Sequence, residues 1–219
     1  VFNKSEKSLL DKMMTKCSEL DNDHAAAIWL DNRKIPTSCR SRLYFLEDFT
    51  KVERISKSYK DKLRVEPRII IPFYDVIGKL TAIQGRALDD NPLRYVTLKI
   101  DPDAPLVYGM DRVDLNKTIN VVEGPFDSLF IPNCVAVAGS DLKRALLMLP
   151  KDTTTLIFDN QPRNKDLVKI MRKHADDGYR MVFWPEIEQQ KDINEMIQIG
   201  RSANNVYQTI KDNTYQGLA

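Results

Sequence analysis

Several carboxylates stand just beyond apolar runs in the second half of this chain. Glu123 follows "INVV", Asp159 follows "TLIF", Glu186 follows "MVFWP", and Asp192 lies six residues further on. Asp127, four residues after Glu123, falls one turn into whatever element begins there. Burying a lone carboxylate is costly, so such a gathering has a partner: a cation, a base or a metal. Hard oxygen ligands of this kind suit Mg²⁺ or Mn²⁺, which keep several waters and bridge to phosphate oxygens. Two such ions would activate an attacking oxygen and stabilise a leaving pyrophosphate. Any one acid is equally well explained by a first helical turn, where the dipole favours negative charge. That explanation weakens when three acids each follow a strong apolar run.

The elements that must position these acids alternate. "TINVVEG", "NCVAVAG", "TTTLIFDN" and "YRMVFWPE" read as strands, with helices at "PFDSLFIP", "LKRALLMLP", "RNKDLVKIMRKHADDG" and "DINEMIQIG" between and after them. Short buried strands alternating with helices predict an α/β unit with a mostly parallel sheet flanked by helices. In such a sheet a site forms outside the carboxyl ends of the strands, where the acids fall. Upstream the texture differs. Residues 5–34 read as two helices, and "IPTSCRSR" reads as a short helix behind Pro36, with Thr37 or Ser38 as its cap. "RIIIPFYD", "LTAIQGRAL" and "RYVTLKI" read as a small antiparallel β-unit, the first two joined by a turn at Gly78. The fold class is therefore mixed α+β at the start and α/β after it. The expected organisation is a basic N-terminal subdomain at 1–116, a catalytic α/β domain at 117–200 and a helical tail at 201–219.

The chain of 219 residues is 42% hydrophobic and 29% charged, and it has no apolar run long enough to span a membrane. Its three cysteines, Cys17, Cys39 and Cys134, are scattered and form no CxxC, which argues against a disulfide framework or a zinc ribbon within these residues. A net charge of +2 conceals an uneven distribution: residues 51–68 carry seven Lys/Arg against three Asp/Glu. Such a stretch would neutralise nucleic-acid phosphates or, more simply, form a solvated helix face.

"VVEGPFD" (121–127), "IFDNQ" (157–161) and "KDINEMI" (191–197) resemble the successive motifs of the Toprim domain. Primases, topoisomerases, recombination mediators and some nucleases share that domain. Upstream, "RIIIPFYDVIGKLTAIQGRAL" (68–88), "LRYVTLK" (93–99), "LVYGMD" (106–111) and "AIWLDNRKIPTSCRSRLYFLEDF" (27–49) are similar, in order, to the polymerase core of bacterial-type DNA primases. "DNQPRNKD" is similar to the T-even phage branch of that family.

The resemblance implies template-directed synthesis of short RNA primers on single-stranded DNA by metal-dependent nucleotidyl transfer. A Toprim nuclease, or a non-catalytic DNA-binding module, remains the alternative. It implies Glu123 and Asp159 as catalytic residues, with Asp192, Asp127 and Gln161 completing the set that holds Mg²⁺ or Mn²⁺. Gln161 stands where the family's usual motif has a second aspartate. The resemblance further implies template or nucleotide contact by Arg86 and Arg94, to which Lys99 would add a point charge. Arg163 and Lys165 lie in the loop where a triphosphate would arrive, and either Arg112 or Arg68 would substitute for a basic residue the family carries just before "LYG". The implied partners are ribonucleoside triphosphates, the RNA–DNA hybrid product, a replicative helicase and single-strand-binding protein, in the cytoplasm of a phage host and away from membranes. Zinc is expected only in an N-terminal module upstream of Val1.

Overall fold

The computed structural model describes residues 4–55, 63–137 and 141–217, so Lys57, Lys60 and Lys62 of the basic stretch lie outside the described residues. It separates into two compact units, Val1–Asp111 and Arg112–Ala219.

In the first unit, helices α1 (Lys4–Met13) and α2 (Ala25–Asn32) accompany a five-stranded sheet. Its strands are β1 (Thr15–Lys16), β2 (Tyr44–Leu46), β3 (Arg68–Tyr74), β4 (Leu80–Ala87) and β5 (Tyr95–Lys99), adjacent in that order and antiparallel throughout. The turn at Gly78 is left-handed, with φ of 79°, which is why glycine suits it. Strands β3 and β4 are buried along their whole length; β3 reads as a nearly continuous apolar run, while β4 buries Thr81, Gln84 and Arg86 among its apolar residues. Pro72 is tolerated inside β3 because β2 begins opposite Ile70, leaving β3 without that neighbour beyond it. The core packs Leu10, Leu46, Phe49, Ile70, Ile83 and Leu98 together. Gly85 is required there: a Cβ would lie 2.6 Å from the Phe49 ring. A two-residue strand, β6 (Val107–Tyr108), closes this unit.

The second unit is built on β7 (Ile119–Val122), β8 (Cys134–Val137), β9 (Thr154–Leu156), β10 (Arg180–Val182) and β11 (Thr214–Gln216). Their spatial order is β11-β10-β9-β7-β8. β7 runs parallel to both β8 and β9, and β9 parallel to β10, while β11 pairs antiparallel with β10. The chain thus moves from β7 to one side and then returns to its other side with β9, which creates a switch point at the β7/β9 carboxyl ends. Helices α3 (Leu142–Leu146), α4 (Lys165–Asp176), α5 (Ile193–Gln198) and α6 (Ala203–Asp212) complete the unit. Asn164, Asp192 and Ser202 cap α4, α5 and α6 by accepting backbone N–H bonds, as short polar side chains do at helix starts.

Two expectations change. "PFDSLFIP" forms only a single 3₁₀ turn, Asp127–Leu129, rather than a short helix. Residues 201–219, expected as a helical tail, hold α6 and then strand β11, which extends the second sheet. No helix among the described residues is long and apolar enough to cross a membrane.

Candidate active site

The switch point gathers the acids. Glu123 leaves the end of β7 and is exposed, and its Oε1 accepts the Asp159 backbone N–H at 3.0 Å. Asp159 follows β9 by three residues. Asp192 caps α5, with Oδ1 accepting from Glu195 N at 2.8 Å, and Asp127 Oδ1 accepts from Asn194 N at 2.8 Å. Glu123, Asp127, Asp159 and Asp192 line one small cavity together with Trp184. Glu186 is exposed and outside this group. Gly124 has no room for a side chain, because a Cβ there would run into the Asp127 carboxylate. The EG pair therefore serves one purpose: glutamate faces out, glycine lets the aspartate fold back.

The electrostatics follow from crowding. Burial, then the Asp192 charge, push Asp127 up to about 7. Burial, then Glu123, push Asp159 up to about 6, although Lys191 pulls it down. Lys191 Nζ lies 3.1 Å from Asp159 Oδ2. Its own burial would lower it, but the Asp159 hydrogen bond and the charges of Asp159, Asp192 and Glu123 hold it above the usual lysine value.

Among the described residues, no three His, Cys, Asp or Glu side chains stand together as a ready-made metal shell. The donor chemistry still fits a hard divalent cation. The four acids offer only oxygen, and a bound cation would favour the ionised forms of Asp127 and Asp159, which burial and the neighbouring acids disfavour.

Gln161 is tied into its own loop: its Nε2 donates to Asp159 Oδ2 at 3.3 Å, and its Oε1 accepts from Asn164 Nδ2 at 3.2 Å. Arg163 and Lys165 are exposed between this loop and the first turn of α4.

The basic candidates of the first unit divide by burial. Arg68, expected to contact nucleotide or template, is fully buried. It pairs with Glu66, donates to Gly85 O and Leu93 O at 2.9 Å each, and lies over the Phe49 ring at 5.1 Å. A guanidinium with its donors consumed in the core holds the fold and does not reach a ligand. Lys99 is half-buried and donates to Ala104 O at 3.1 Å, closing its own loop. Arg94 is exposed. Arg86 is buried with its guanidinium over Trp29 at 5.3 Å and Tyr95 at 5.1 Å, and Arg33 covers Trp29 at 5.0 Å. Burial, ahead of the charges of Arg33 and Arg94, holds Arg86 below its usual value.

Sequence reasoning missed three residues here. Trp29 reads as core from "AAAIWL" but is half-buried beneath two arginines, and Tyr95 is exposed beside Arg86. Lys191 sits inside the quoted motif "KDINEMI", so its place beside Asp192 was the available signal.

No family model matches the chain. Over 220 residues, 97% of its length, the chain is 36% identical to the DNA primase of Enterobacteria phage T4, and it spans 64% of that protein's length. The DnaG primase catalytic domain bound to ssDNA superposes with a TM-score of 0.71 at 15% identity, covering 95% of this chain and 77% of that one. A DNA primase domain from Pseudomonas aeruginosa superposes at 0.68 with 18% identity, covering 97% and 79%. The fold is that of the DnaG catalytic core.

Proposed function

We propose that this chain belongs to the Toprim-type DNA primases and forms the portion that makes short RNA primers on single-stranded DNA. One observation carries this reading: Glu123 and Asp159 meet at adjacent parallel strand ends in a chain 36% identical to a primase. The substrates are ribonucleoside triphosphates and the product an RNA–DNA hybrid. A replicative helicase and single-strand-binding protein are its expected company, and the host cytoplasm its place of action.

Each unit has its task. In the second, Glu123 presents an exposed carboxylate to the primer 3′-hydroxyl, oriented by the Asp159 N–H. Glu123, Asp159 and Asp192 would hold Mg²⁺ or Mn²⁺, with Asp127 behind them on the Asn194 N–H. When bound, the ion lowers the pKa of the attacking hydroxyl and neutralises charge on the transferred phosphoryl. Arg163 and Lys165 stand near Asp159 and would meet the triphosphate as it arrives. In the first unit, Arg33, Arg86 and Arg94 supply positive charge beside the Trp29 and Tyr95 rings, a pairing suited to phosphates and stacked bases.

The test is to incubate the protein with single-stranded template, labelled ribonucleotides and Mg²⁺. Short RNA products support the proposal. Cleaved template would mean a nuclease, and binding with neither product would mean a non-catalytic module.

A further inference from the structure

Asp159 Oδ2 faces two donors, the Lys191 ammonium at 3.1 Å and the Gln161 amide at 3.3 Å. This lysine is held by its backbone: its N–H donates to Glu195 Oε2 at 2.9 Å, and its carbonyl accepts from Asn160 N at 2.6 Å. Asn160 Nδ2 also donates to Glu188 O at 3.0 Å and Gln190 O at 3.1 Å, so the loop carrying Lys191 is latched to the loop carrying Asp159. A surface lysine normally loses entropy for little gain in such a pair. Here the main chain has already fixed its root, and only the four-carbon stem moves. The ammonium end is accessible, with the Lys191 side chain 52% exposed against 17% for Asp159.

Resting on the reading of this edge as a cation site, we propose that Lys191 is its resident counter-cation. The ammonium holds Asp159 Oδ2 in the free protein and must give it up before a divalent ion is held there. Two features act in the same direction. The Gln161 amide beside Asp159 contributes no negative charge, and Lys191 adds a positive one. The site is thereby tuned to weak, exchangeable divalent-ion binding, and Lys191 sets the threshold concentration.

Mn²⁺ binding to the whole chain, followed by electron paramagnetic resonance, tests this with Lys191→Met, Lys191→Arg and Asp159→Asn. Lys191→Met is expected to tighten Mn²⁺ binding by about three- to tenfold, since a unit charge beside the carboxylate no longer competes. Lys191→Arg restores affinity toward that of the parent, and Asp159→Asn weakens it. Tightening is the diagnostic sign, because loss of a merely structural lysine would weaken binding. Unchanged or weaker binding in Lys191→Met, with Asp159→Asn impaired, overturns the counter-cation alone. If Asp159→Asn binds Mn²⁺ like the parent protein, the cation-site reading falls and the proposal with it.

Discussion

The backbone N–H of Asp159 donates to Glu123 Oε1 at 3.0 Å, so the acid at one strand end is aimed by the peptide at the next. The two groups are 36 residues apart in sequence, and only the parallel pairing of β7 with β9 brings them together. The geometry of the acidic edge is therefore a property of the sheet, not of any local motif.

Gly124→Ala tests how tightly that edge is built. The added methyl meets the Asp127 carboxylate, whose other oxygen is fixed by Asn194 N. A loss of about 1–3 kcal/mol is expected, as for other overpacked sites, and urea denaturation measures it. The same variant is expected to impair primer synthesis, because Asp127 is displaced.

Asn160→Ala removes both side-chain bonds to the Glu188 and Gln190 carbonyls. At about 1 kcal/mol per bond, a melting temperature several degrees lower is expected by calorimetry. The loop carrying Lys191 and Asp192 loosens, so primer synthesis is expected to fall about tenfold or more.

Asp127 gives a pH dependence with a definite sign. Its pKa is raised in the folded protein to about 7, so folding favours the protonated acid. The contribution of this group is fully favourable below the ordinary carboxylate value and is lost as pH rises through about 7. Asp127→Asn keeps the acceptor for Asn194 N but carries no charge. Its melting temperature is expected to match the parent near pH 4 and to exceed it near pH 8 by about 2–4 °C, roughly 1 kcal/mol. A gap that shrinks toward high pH contradicts the assignment.

The arginines of the first unit are expected to separate cleanly. Arg68→Met leaves Glu66 without its partner and three carbonyl acceptors of the core short of donors, costing about 3–5 kcal/mol in a denaturation titration. Arg94→Ala at an exposed position is expected within about 0.5 kcal/mol of the parent in stability. It is expected instead to weaken single-stranded DNA binding and to reduce its salt dependence, read by fluorescence anisotropy at several salt concentrations.

Glu123 and Asp159 were legible in the sequence because each follows an apolar run that the sheet buries. Glu186, by contrast, follows such a run and lies outside the group, and Asp127 and Asp192 reach the edge from a 3₁₀ turn and a helix cap. The β-unit at 68–100 was legible from the apolar run of β3 and the glycine turn that joins it to β4. β1 and β11 were not, since strands of two and three residues with half-exposed or exposed side chains leave no pattern. The burial of Arg68 was not legible, because its surroundings come from Phe49, Glu66 and the loop at Leu93, gathered only on folding. The bond from Asn164, the cap of α4, to the Gln161 oxygen was not legible either, because it depends on how the loop turns into the helix. Lys191 carried only its place beside Asp192 as a signal, and tertiary structure sets its ammonium on Asp159.

The most direct test of the central claim is the rate of labelled RNA synthesis on single-stranded template with Mg²⁺, comparing the parent chain with Asp159→Asn. A drop of about a hundredfold or more is expected, of the order set by losing a charge-stabilising group at the reacting centre. Template binding, which the proposal assigns to the arginines of the first unit, is expected to stay within about twofold. Undiminished primer synthesis by Asp159→Asn would contradict the placement of the active site at the β7/β9 edge.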